Sequence, residues 1–230
     1  MKKIISKTIS YAKVPEFVAI LALSAAFSSG TQAHPCTYTD PIVIDLGADG
    51  IEFAAPGKGV RFDISANGRP AHIQWVMAGG NEAFVVLDRN DNGIVDDGSE
   101  LFGNATELHD GSGTLAANGF LAMAQYDSPL LGGNDDGMLS EADVIWSDLK
   151  LWLDKNADGV SDVDEIMSLA ESGVESLPTI PRKNPNRHDA AGNLMPYWAH
   201  GQLAASKSND GGEKLVKTKV VDVFFQIIGH

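Results

Sequence analysis

The sequence predicts an α+β fold, in which short antiparallel strands and hairpins are combined with three short helices around acidic, glycine-containing loops. Short runs of β-branched and aromatic residues dominate the first half and are separated by Asx-Gly turns. Helical patterns occupy the middle of the chain, and a β-branched segment closes it. These three observations indicate one domain over residues 41–230, preceded by a short segment at 34–40.

Five runs in the first half predict strands, because each is apolar or alternates apolar with polar residues. The turns Asp49-Gly50 and Asn67-Gly68 lie between runs and are typical of hairpins, since Asx and Gly residues tolerate positive φ. The predicted strands are residues 42–44, 51–53, 60–62, 72–76 and 83–87.

Three segments in the middle of the chain predict helices. They are residues 118–126, a segment that a capping box at Ser140 and Asp143 opens and that runs to about 149, and residues 162–172, which Gly173 closes. Residues 217–228 are β-branched and aromatic and predict a closing strand. Residues 178–212 are rich in Pro, Asn, Asp and Gly, which predicts a long surface excursion.

Residues 1–33 have the pattern of an export signal. Lysines precede an apolar stretch at 17–27, and Thr31-Gln32-Ala33 follows as a small-residue cleavage site. The stretch is shorter than the roughly 20 residues that cross a bilayer, so we expect an exported protein without a membrane span, periplasmic or extracellular. The lone Cys36 cannot form an internal disulfide, so metal is expected to stabilise the chain instead.

The formal net charge is −14, with 31 acidic against 17 basic residues. Such a charge repels nucleic acid and anionic membranes, so neither is expected as a partner. It also destabilises the compact state by self-repulsion. The acidic residues concentrate in loops, where bound divalent cations would relieve that repulsion.

Residues 154–165 read DKNADGVSDVDE and match a twelve-residue calcium loop. Calcium prefers six to eight oxygen ligands, and this spacing wraps oxygen donors around one point, with Gly159 at the sharp turn of position 6. The predicted ligands are Asp154, Asn156, Asp158, the Val160 carbonyl, Asp162 and Glu165.

Residues 88–100 repeat the pattern as DRNDNGIVDDGSE, one residue longer. The acidic closing residue falls at position 13, a lengthening that Gly98 could accommodate or that could leave one ligand to water. An Asx-rich turn is the alternative interpretation. The predicted ligands are Asp88, Asn90, Asn92, the Ile94 carbonyl, Asp96 and Glu100.

A third match covers residues 132–143 (GGNDDGMLSEAD). Its first position is Gly132, so one ligand is missing unless Asp127 or Asp135 reaches into the loop. An acidic turn that caps a helix explains the pattern equally well. The predicted ligands are Asn134, Asp136, the Met138 carbonyl and Asp143.

Neither of the first two loops is preceded by the long helix of a sensor-type EF-hand. We therefore expect calcium, the one cofactor predicted, to complete and stabilise the fold rather than to open a target groove. This makes a non-enzymatic, exported calcium-binding protein the first hypothesis. A dockerin-like module that binds an unidentified protein partner is an alternative.

Five segments together carry a resemblance to a bacterial family. They read PIVIDLGADGIEF (41–53), RFDISANG (61–68), VVLDRNDNGIVDDGSELFGN (85–104), NGFLAMAQYD (118–127) and LKLWLDKNADGVSDVDE (149–165). The chain resembles the EF-hand-type calcium-binding domain of secreted bacterial proteins and is similar to the self-processing module of iron-regulated RTX proteins. The resemblance spans about residues 40–177, with a weaker echo in VVDVFF at 220–225.

The resemblance implies that calcium drives folding and that the folded domain cleaves an Asp-Pro bond at its N-terminal edge. Asp40-Pro41 stands at the matching place, and the Asp40 carboxyl can attack its own carbonyl carbon. An anhydride would form and either hydrolyse or be captured by a lysine amine. The residues alone favour the plainer interpretation of Asp40-Pro41, an ordinary turn leading into a strand.

Overall fold

The computed structural model describes residues 40–204 and 215–228. The predicted export signal at 1–33 lies outside the described residues, as does most of the short segment at 34–40. Within the described residues, no helix is both long enough and apolar enough to cross a membrane.

Eleven strands and two α-helices make up the described chain. The strands are β1 (Ile42–Asp45), β2 (Gly59–Phe62), β3 (Ala71–Gln74), β4 (Glu82–Leu87), β5 (Met138–Leu139), β6 (Leu149–Trp152), β7 (Ile166–Ser168), β8 (Val174–Pro178), β9 (Arg182–Lys183), β10 (Leu194–Leu203) and β11 (Val216–Phe224). The helices are α1 (Gly119–Asp127) and α2 (Leu169–Ser172), and short 3-10 turns occur at Pro129–Leu131 and Val144–Ser147.

Nine strands form one curled antiparallel half-barrel. Its order is β5-β8-β10-β11-β1-β4-β6-β7, with β9 paired to β10, while β2 and β3 form a separate hairpin. Strand β1 lies between β11 and β4, so the two ends of the described chain meet in the middle of the sheet.

The predicted α+β class with three helices is wrong, because the described chain is mostly β and only about 11% helical. The helix at 118–126 is observed as α1, whose N-cap Asn118 accepts a hydrogen bond from the Leu121 N–H. Of the other two predicted helices, the segment 140–149 holds only the 3-10 turn at Val144–Ser147 before β6, and in the segment 162–172 only α2 is helical, after β7. Residues 149–152 pair with β4, and residues 166–168 pair with β6. Strand pairing overrides local helix signals here because it buries an apolar sheet face.

Alternating side chains of the sheet pack into two apolar cores, one on each face. Ile42 and Ile44 of β1 face the core that contains α1, whereas Val43 faces the core beneath the β2–β3 hairpin. Trp75 and Phe84 stack in that second core with ring centroids 4.6 Å apart. The central strands are therefore covered on both faces, which explains their uninterrupted apolar runs.

Two further segments differ from the sequence-based expectation. Residues 51–53 form no strand and contribute only an isolated bridge between Phe53 and Val76. The region 178–212, expected to be irregular, contains β10, a strand of ten residues that pairs with β8, β9 and β11. Its Pro- and Asn-rich part lies before β10, and the pairing partners of β10 come from distant parts of the chain.

Candidate metal loops and a buried acidic pair

Loop 154–165 is a hairpin connection between β6 and β7, which pair antiparallel at Trp152 and Ile166. A strand enters the loop and a strand leaves it. The acidic residues at its two ends are therefore held next to the sheet. This arrangement differs from the helix–loop–helix unit of a calcium sensor.

Asp154 is buried at the start of this loop, with 2% of its surface exposed. Its carboxylate accepts hydrogen bonds from the N–H groups of Asp158 (3.3 Å) and Gly159 (2.9 Å) and from Nε1 of Trp75 (2.7 Å). Burial raises the pKa of Asp154, and the charge of Glu165 raises it further. The hydrogen bonds fix the carboxylate, but burying its charge without a cation remains unfavourable.

Glu165 closes the loop and is equally buried. One carboxylate oxygen, Oε1, accepts from the Lys155 N–H at 2.9 Å, and Oε2 accepts from the Asp162 N–H and from Nε1 of Trp152, both at 3.3 Å. The Trp152 ring packs against Trp75 with centroids 5.7 Å apart. Both ends of the loop are thus tied to one aromatic cluster.

The turn within the loop repeats a short hydrogen-bond pattern. Asn156 Oδ1 accepts from the Asp158 N–H (3.0 Å), and Asp158 Oδ1 accepts from the Val160 N–H (2.9 Å). Ala157 and Gly159 adopt positive φ of 54° and 76°. Asn156 Nδ2 also donates to Asp158 Oδ2 at 3.0 Å, so these two side chains lie on the same side of the turn.

Loop 88–100 begins in the same way. Asp88 directly follows β4, and its carboxylate accepts from the N–H groups of Asn92 (3.2 Å) and Gly93 (2.8 Å). The amides of Asn90 and Asn92 both donate to Asp96 Oδ2, at 2.9 and 2.6 Å. The predicted ligand side chains of the loop therefore converge on one side.

Glu100 occupies the position of a closing residue despite the one-residue insertion. Its carboxylate accepts from the N–H groups of Arg89 (3.2 Å) and Asp96 (2.9 Å), the same two loop positions that Glu165 contacts in the other loop. Gly98 lies in the lengthened part of the loop and packs closely, since a Cβ there would lie 1.8 Å from the carbonyl oxygen of Ile64. The sequence identified Gly98 as one of two ways to accommodate the extra residue.

The third loop is completed from outside its twelve residues. Asp127, the last residue of α1, accepts from the N–H groups of Asp136 (3.2 Å) and Gly137 (2.9 Å), as Asp154 does in its own loop. Asp143 accepts from the Ser140 N–H at 2.7 Å, and both acids are buried. Of the two replacements considered for Gly132, the structure selects Asp127.

Two more turns share this geometry. Asp63 accepts from the N–H groups of Asn67 (3.1 Å) and Gly68 (2.6 Å), and Asp45 accepts from the Gly50 N–H (2.8 Å). In all five turns the fourth and sixth residues have positive φ; these are Ala48 and Gly50, Ala66 and Gly68, Asp91 and Gly93, Asp135 and Gly137, and Ala157 and Gly159. The fold thus repeats one loop five times, a repeat visible in the sequence as Asp followed five residues later by Gly in four turns.

The first of these turns lies beside a buried acidic pair. Asp45 and Glu82 are directly opposite each other on β1 and β4 and are 1% and 3% exposed. Each has one carboxylate oxygen without a hydrogen-bond partner within the described residues. Burial raises the pKa of Glu82, as does the charge of Asp45. An arrangement of this kind is unfavourable without a proton or a cation between the carboxylates.

A second buried acidic pair lies at the start of β1. Asp40 is 2% exposed and Asp222, on β11, is fully buried. Asp40 Oδ1 accepts from the Asn104 N–H (2.8 Å), and the Gly119 N–H reaches Oδ2 of Asp40 (3.2 Å) and Oδ1 of Asp222 (3.3 Å). The two carboxyls also hydrogen bond to each other.

Burial governs the protonation of this pair. It raises the pKa of Asp40 to about 7. Burial raises the pKa of Asp222 well above its usual range, and the charge of Asp40 raises it further. Two adjacent carboxyls cannot both ionise readily, so at neutral pH they share a proton that resides mainly on Asp222.

The Asp40-Pro41 peptide bond itself lies between two chain segments that contact it. On one side the Val223 N–H of β11 donates to the Pro41 carbonyl at 3.0 Å. On the other side Gly103 forms a bridge to Pro41, and a Cβ at Gly103 would lie 1.6 Å from the Asp40 carbonyl oxygen. Only glycine permits this approach, so the bond is firmly enclosed rather than presented on a free turn.

Sequence reasoning identified Asp40-Pro41 and the three loops but missed Asp222, Gly103 and Gly119. The local signal at Asp222 is weak, because VVDVFF has the pattern of an ordinary strand with one acid. A charged residue in the middle of an apolar closing strand was the one available signal. The assignment of the loop residues as metal ligands stays a prediction.

Comparison with known proteins supports the RTX-related part of the resemblance noted from the sequence. The SPM domain family matches residues 42–226. The chain is also 39% identical over 158 residues to iron-regulated protein FrpA of Neisseria meningitidis serogroup C, an RTX-related protein. That alignment covers 68% of this chain but only 13% of FrpA, so the chain corresponds to a small part of that protein. The chain belongs to the SPM domain family.

Proposed function

We propose that this chain is a calcium-binding module whose loops bind Ca²⁺ to complete and stabilise the fold. One observation supports the proposal most directly. Loops 88–100, 127–143 and 154–165 each bury an acidic closing residue, and two of them also bury the opening aspartate. The ion pair recorded among the described residues, Lys155 with Asp164, is well exposed and leaves these acids uncompensated. A bound divalent cation would supply the missing charge.

The donor chemistry favours calcium over other metals. The predicted ligands are carboxylate, amide and backbone carbonyl oxygens, which suit hard cations rather than zinc or copper. Calcium tolerates six to eight ligands in flexible geometry, whereas magnesium requires a near-ideal octahedron. The spacing in loop 154–165 matches the calcium pattern in full. Extracellular calcium modules bind at roughly 10⁻⁴–10⁻³ M, and we expect that range here.

Calorimetric titration of the purified chain tests this function. We expect calcium to bind at more than one site and magnesium, titrated in parallel, to bind more weakly. Absence of any calcium-dependent heat, together with a near-UV circular dichroism spectrum that calcium does not change, would contradict the proposal.

A second candidate function is calcium-dependent self-cleavage at Asp40-Pro41. The observation that favours it is the buried pair of Asp40 and Asp222 beside an Asp-Pro bond that two segments enclose. A turn that merely leads into a strand requires no buried acid. Perturbed, buried acids are typical of reacting sites.

The chemistry needs only the residues of the chain and water. An Asp40 carboxylate oxygen attacks the Asp40 carbonyl carbon, closing a five-membered anhydride as the bond to the Pro41 nitrogen breaks. The nitrogen leaves as a secondary amine after gaining a proton. Water then opens the anhydride to two carboxyl groups, or a lysine amine captures it as an amide.

Loop 88–100 connects calcium to this bond. The loop runs directly into residues 101–104, where Phe102 accepts from the Ile42 N–H (2.9 Å) and Asn104 donates to Asp40. Closing the loop on a cation would therefore fix the segment that holds the Asp40 carboxylate. This gives a physical reason for cleavage to depend on calcium.

Intact-mass measurement tests self-cleavage. A chain carrying an N-terminal fusion is incubated with calcium or with chelator, in parallel with Asp40→Asn. We expect two fragments, whose masses sum to the parent plus one water, only for the unchanged sequence in calcium. If the folded, calcium-loaded chain stays whole, the self-cleavage function is rejected while calcium binding stands.

A further inference from the structure

Neither calcium binding by the loops nor nucleophilic attack by Asp40 explains why Asp222 lies where it does. It lies on β11 opposite Ile42, one residue beyond the Asp40-Pro41 bond. Its side chain is fully buried and hydrogen bonds to the Asp40 carboxyl. Its second oxygen, Oδ2, has no hydrogen-bond partner within the described residues. The structure therefore places a second carboxyl group directly against the reacting one.

We propose that Asp222 is the general acid of the self-cleavage, donating the proton that the Pro41 nitrogen takes as its bond to Asp40 breaks. This inference rests on the self-cleavage function proposed above. It assigns the two acids different roles, with Asp40 as the nucleophile and Asp222 as the proton donor.

The reaction requires both protonation states at once. An ionised carboxylate is needed to attack the carbonyl carbon, and a protonated acid is needed to release an amide nitrogen. A pair that shares one proton provides both. Burial raises the pKa of Asp40 to about 7, and burial together with the charge of Asp40 raises the pKa of Asp222 well above its usual range, which favours the shared proton on Asp222.

The step balances without any outside reagent except water. The bond from Asp40 Oδ to the Asp40 carbonyl carbon forms, the bond from that carbon to the Pro41 nitrogen breaks, and the Asp222 proton moves to the nitrogen. Asp222 is left as a carboxylate. It can then take a proton from the water that opens the anhydride, which restores the acid.

Backbone amides keep the two carboxyls in these roles. Gly119, the first residue of α1, donates to both acids, and Asn104 donates to Asp40. Gly119 must be glycine, because a Cβ there would lie 2.5 Å from the Phe102 carbonyl oxygen. Asp40 receives two amide donors and Asp222 one, which favours the ionised form of Asp40.

A purely structural role explains the pair poorly. Burying two acids without a cation is unfavourable, and apolar side chains of similar volume would pack in the same place at lower cost.

The test compares Asp222→Asn with the unchanged chain and with Asp40→Asn, each carrying an N-terminal fusion, in saturating calcium. Asparagine keeps the shape and a hydrogen bond to Asp40 but cannot donate a proton to the leaving nitrogen. Because general acid catalysis contributes roughly 10²–10⁴-fold, we expect Asp222→Asn to cleave at least about 100-fold more slowly. Its calcium-dependent melting temperature should stay close to that of the unchanged chain.

The outcomes separate the two proposals. If the unchanged chain cleaves and Asp222→Asn cleaves within threefold of it, Asp222 is not the general acid and self-cleavage stands. If the unchanged chain folds in calcium but does not cleave, the self-cleavage function fails, and this inference fails with it.

If Asp222→Asn does not fold, the dependence of the cleavage rate of the unchanged chain on pH provides a second test. The hydrogen-bond donors to the pair are the backbone amides of Asn104 and Gly119, which do not titrate. The cleavage rate should rise as Asp40 ionises and fall as Asp222 loses its proton. A rate that reaches a plateau and stays there to high pH would overturn the inference.

Discussion

The acidic loops and the Asp40–Asp222 pair both bury carboxylates, but they differ in what can neutralise the charge. In loop 154–165 the carboxylates of Asp154 and Glu165 accept from backbone N–H groups at the two ends of one turn, and we propose that a cation neutralises them. Asp40 and Asp222 hydrogen bond directly to each other, so a shared proton can neutralise them. In these proposals the spacing of the carboxyls decides between metal binding and acid–base chemistry.

The two regions are also joined. Val95 in one loop donates to Oγ of Ser161 in another at 2.7 Å, and residues 101–104 carry the first loop to the Asp40 carboxylate. Changes to the loops should therefore reach the acidic pair, while changes to the pair should leave calcium binding intact. The predictions below test this asymmetry, from the largest expected effect to the smallest.

Removing calcium should have the largest effect on stability. At a concentration 100-fold above Kd each site contributes about 2.7 kcal/mol, so two sites lose about 5 kcal/mol on chelation. For a domain of this size that corresponds to a fall in melting temperature of roughly 10–20 °C. Differential scanning calorimetry in calcium and in chelator measures it, with Asp40→Asn as the control that should show the same fall.

Asp154→Asn should remove the contribution of one loop. It takes away a carboxylate charge at the first ligand position, and the calcium-dependent stabilisation should drop by about 2–3 kcal/mol, the value of one site. Asp164→Asn is the matched control, since Asp164 lies in the same loop with 83% of its side chain exposed and outside the predicted ligands. Equal losses in the two variants would contradict the assignment of Asp154 as a ligand.

Gly98→Ala tests how loop 88–100 is connected to Asp40. The added Cβ would meet the Ile64 backbone at 1.8 Å, and overpacking of this kind typically costs about 1–3 kcal/mol. We expect weaker calcium binding and slower cleavage together, measured by calorimetry and intact mass. Gly111→Ala is the control for a glycine replacement in open space; its φ of +77° is positive, unlike that of Gly98, so the Ile64 contact is absent there while backbone strain is added. Normal cleavage in a Gly98→Ala chain that has lost calcium binding would show that cleavage at Asp40 does not depend on this loop.

Lowering the pH should stabilise the metal-free chain, because the buried carboxyls of Asp40 and Asp222 have raised pKa values. Burial raises the pKa of Asp40 to about 7 and that of Asp222 well above its usual range. A raised carboxyl pKa stabilises the fold below the unfolded value, near 4, and this contribution is lost as pH rises through the folded value. The metal-free melting temperature should therefore be a few degrees higher at pH 5.5 than at pH 8.

Asp222→Asn is the control for this pH dependence. Removing one acid of the pair should reduce the difference between pH 5.5 and pH 8, leaving the part to which Glu82 and Asp154 contribute because burial also raises their pKa values; thermal melts in chelator measure it. A metal-free chain that becomes steadily more stable as pH rises over this range would contradict the proton shared by Asp40 and Asp222.

Features of the fold that depend on neighbouring residues could be predicted from the sequence, whereas features that depend on pairing between distant segments could not. The strands near 42–44, 60–62 and 83–87, helix α1 and the αL cap at Gly173 depend on residues close together in the chain. Residues 140–149 and 162–172 carry cap signals that are typical of helices, yet the first segment holds a 3-10 turn before β6, and in the second β7 leaves only the short helix α2. Strand β6 pairs with β4, and β7 pairs with β6. A local sequence pattern does not show which strand will pair with a segment.

The sequence by itself determined the repeated acidic turns, because the hydrogen bond from the sixth residue to the first closes within one short segment, as from Gly159 to Asp154. The tertiary structure decided the rest. Asp127 substitutes for Gly132 because α1 ends beside that loop, and Asp222 meets Asp40 because β11 pairs with β1 in one register. Register between strands from opposite ends of the chain depends on burial of the whole sheet, which no single segment encodes.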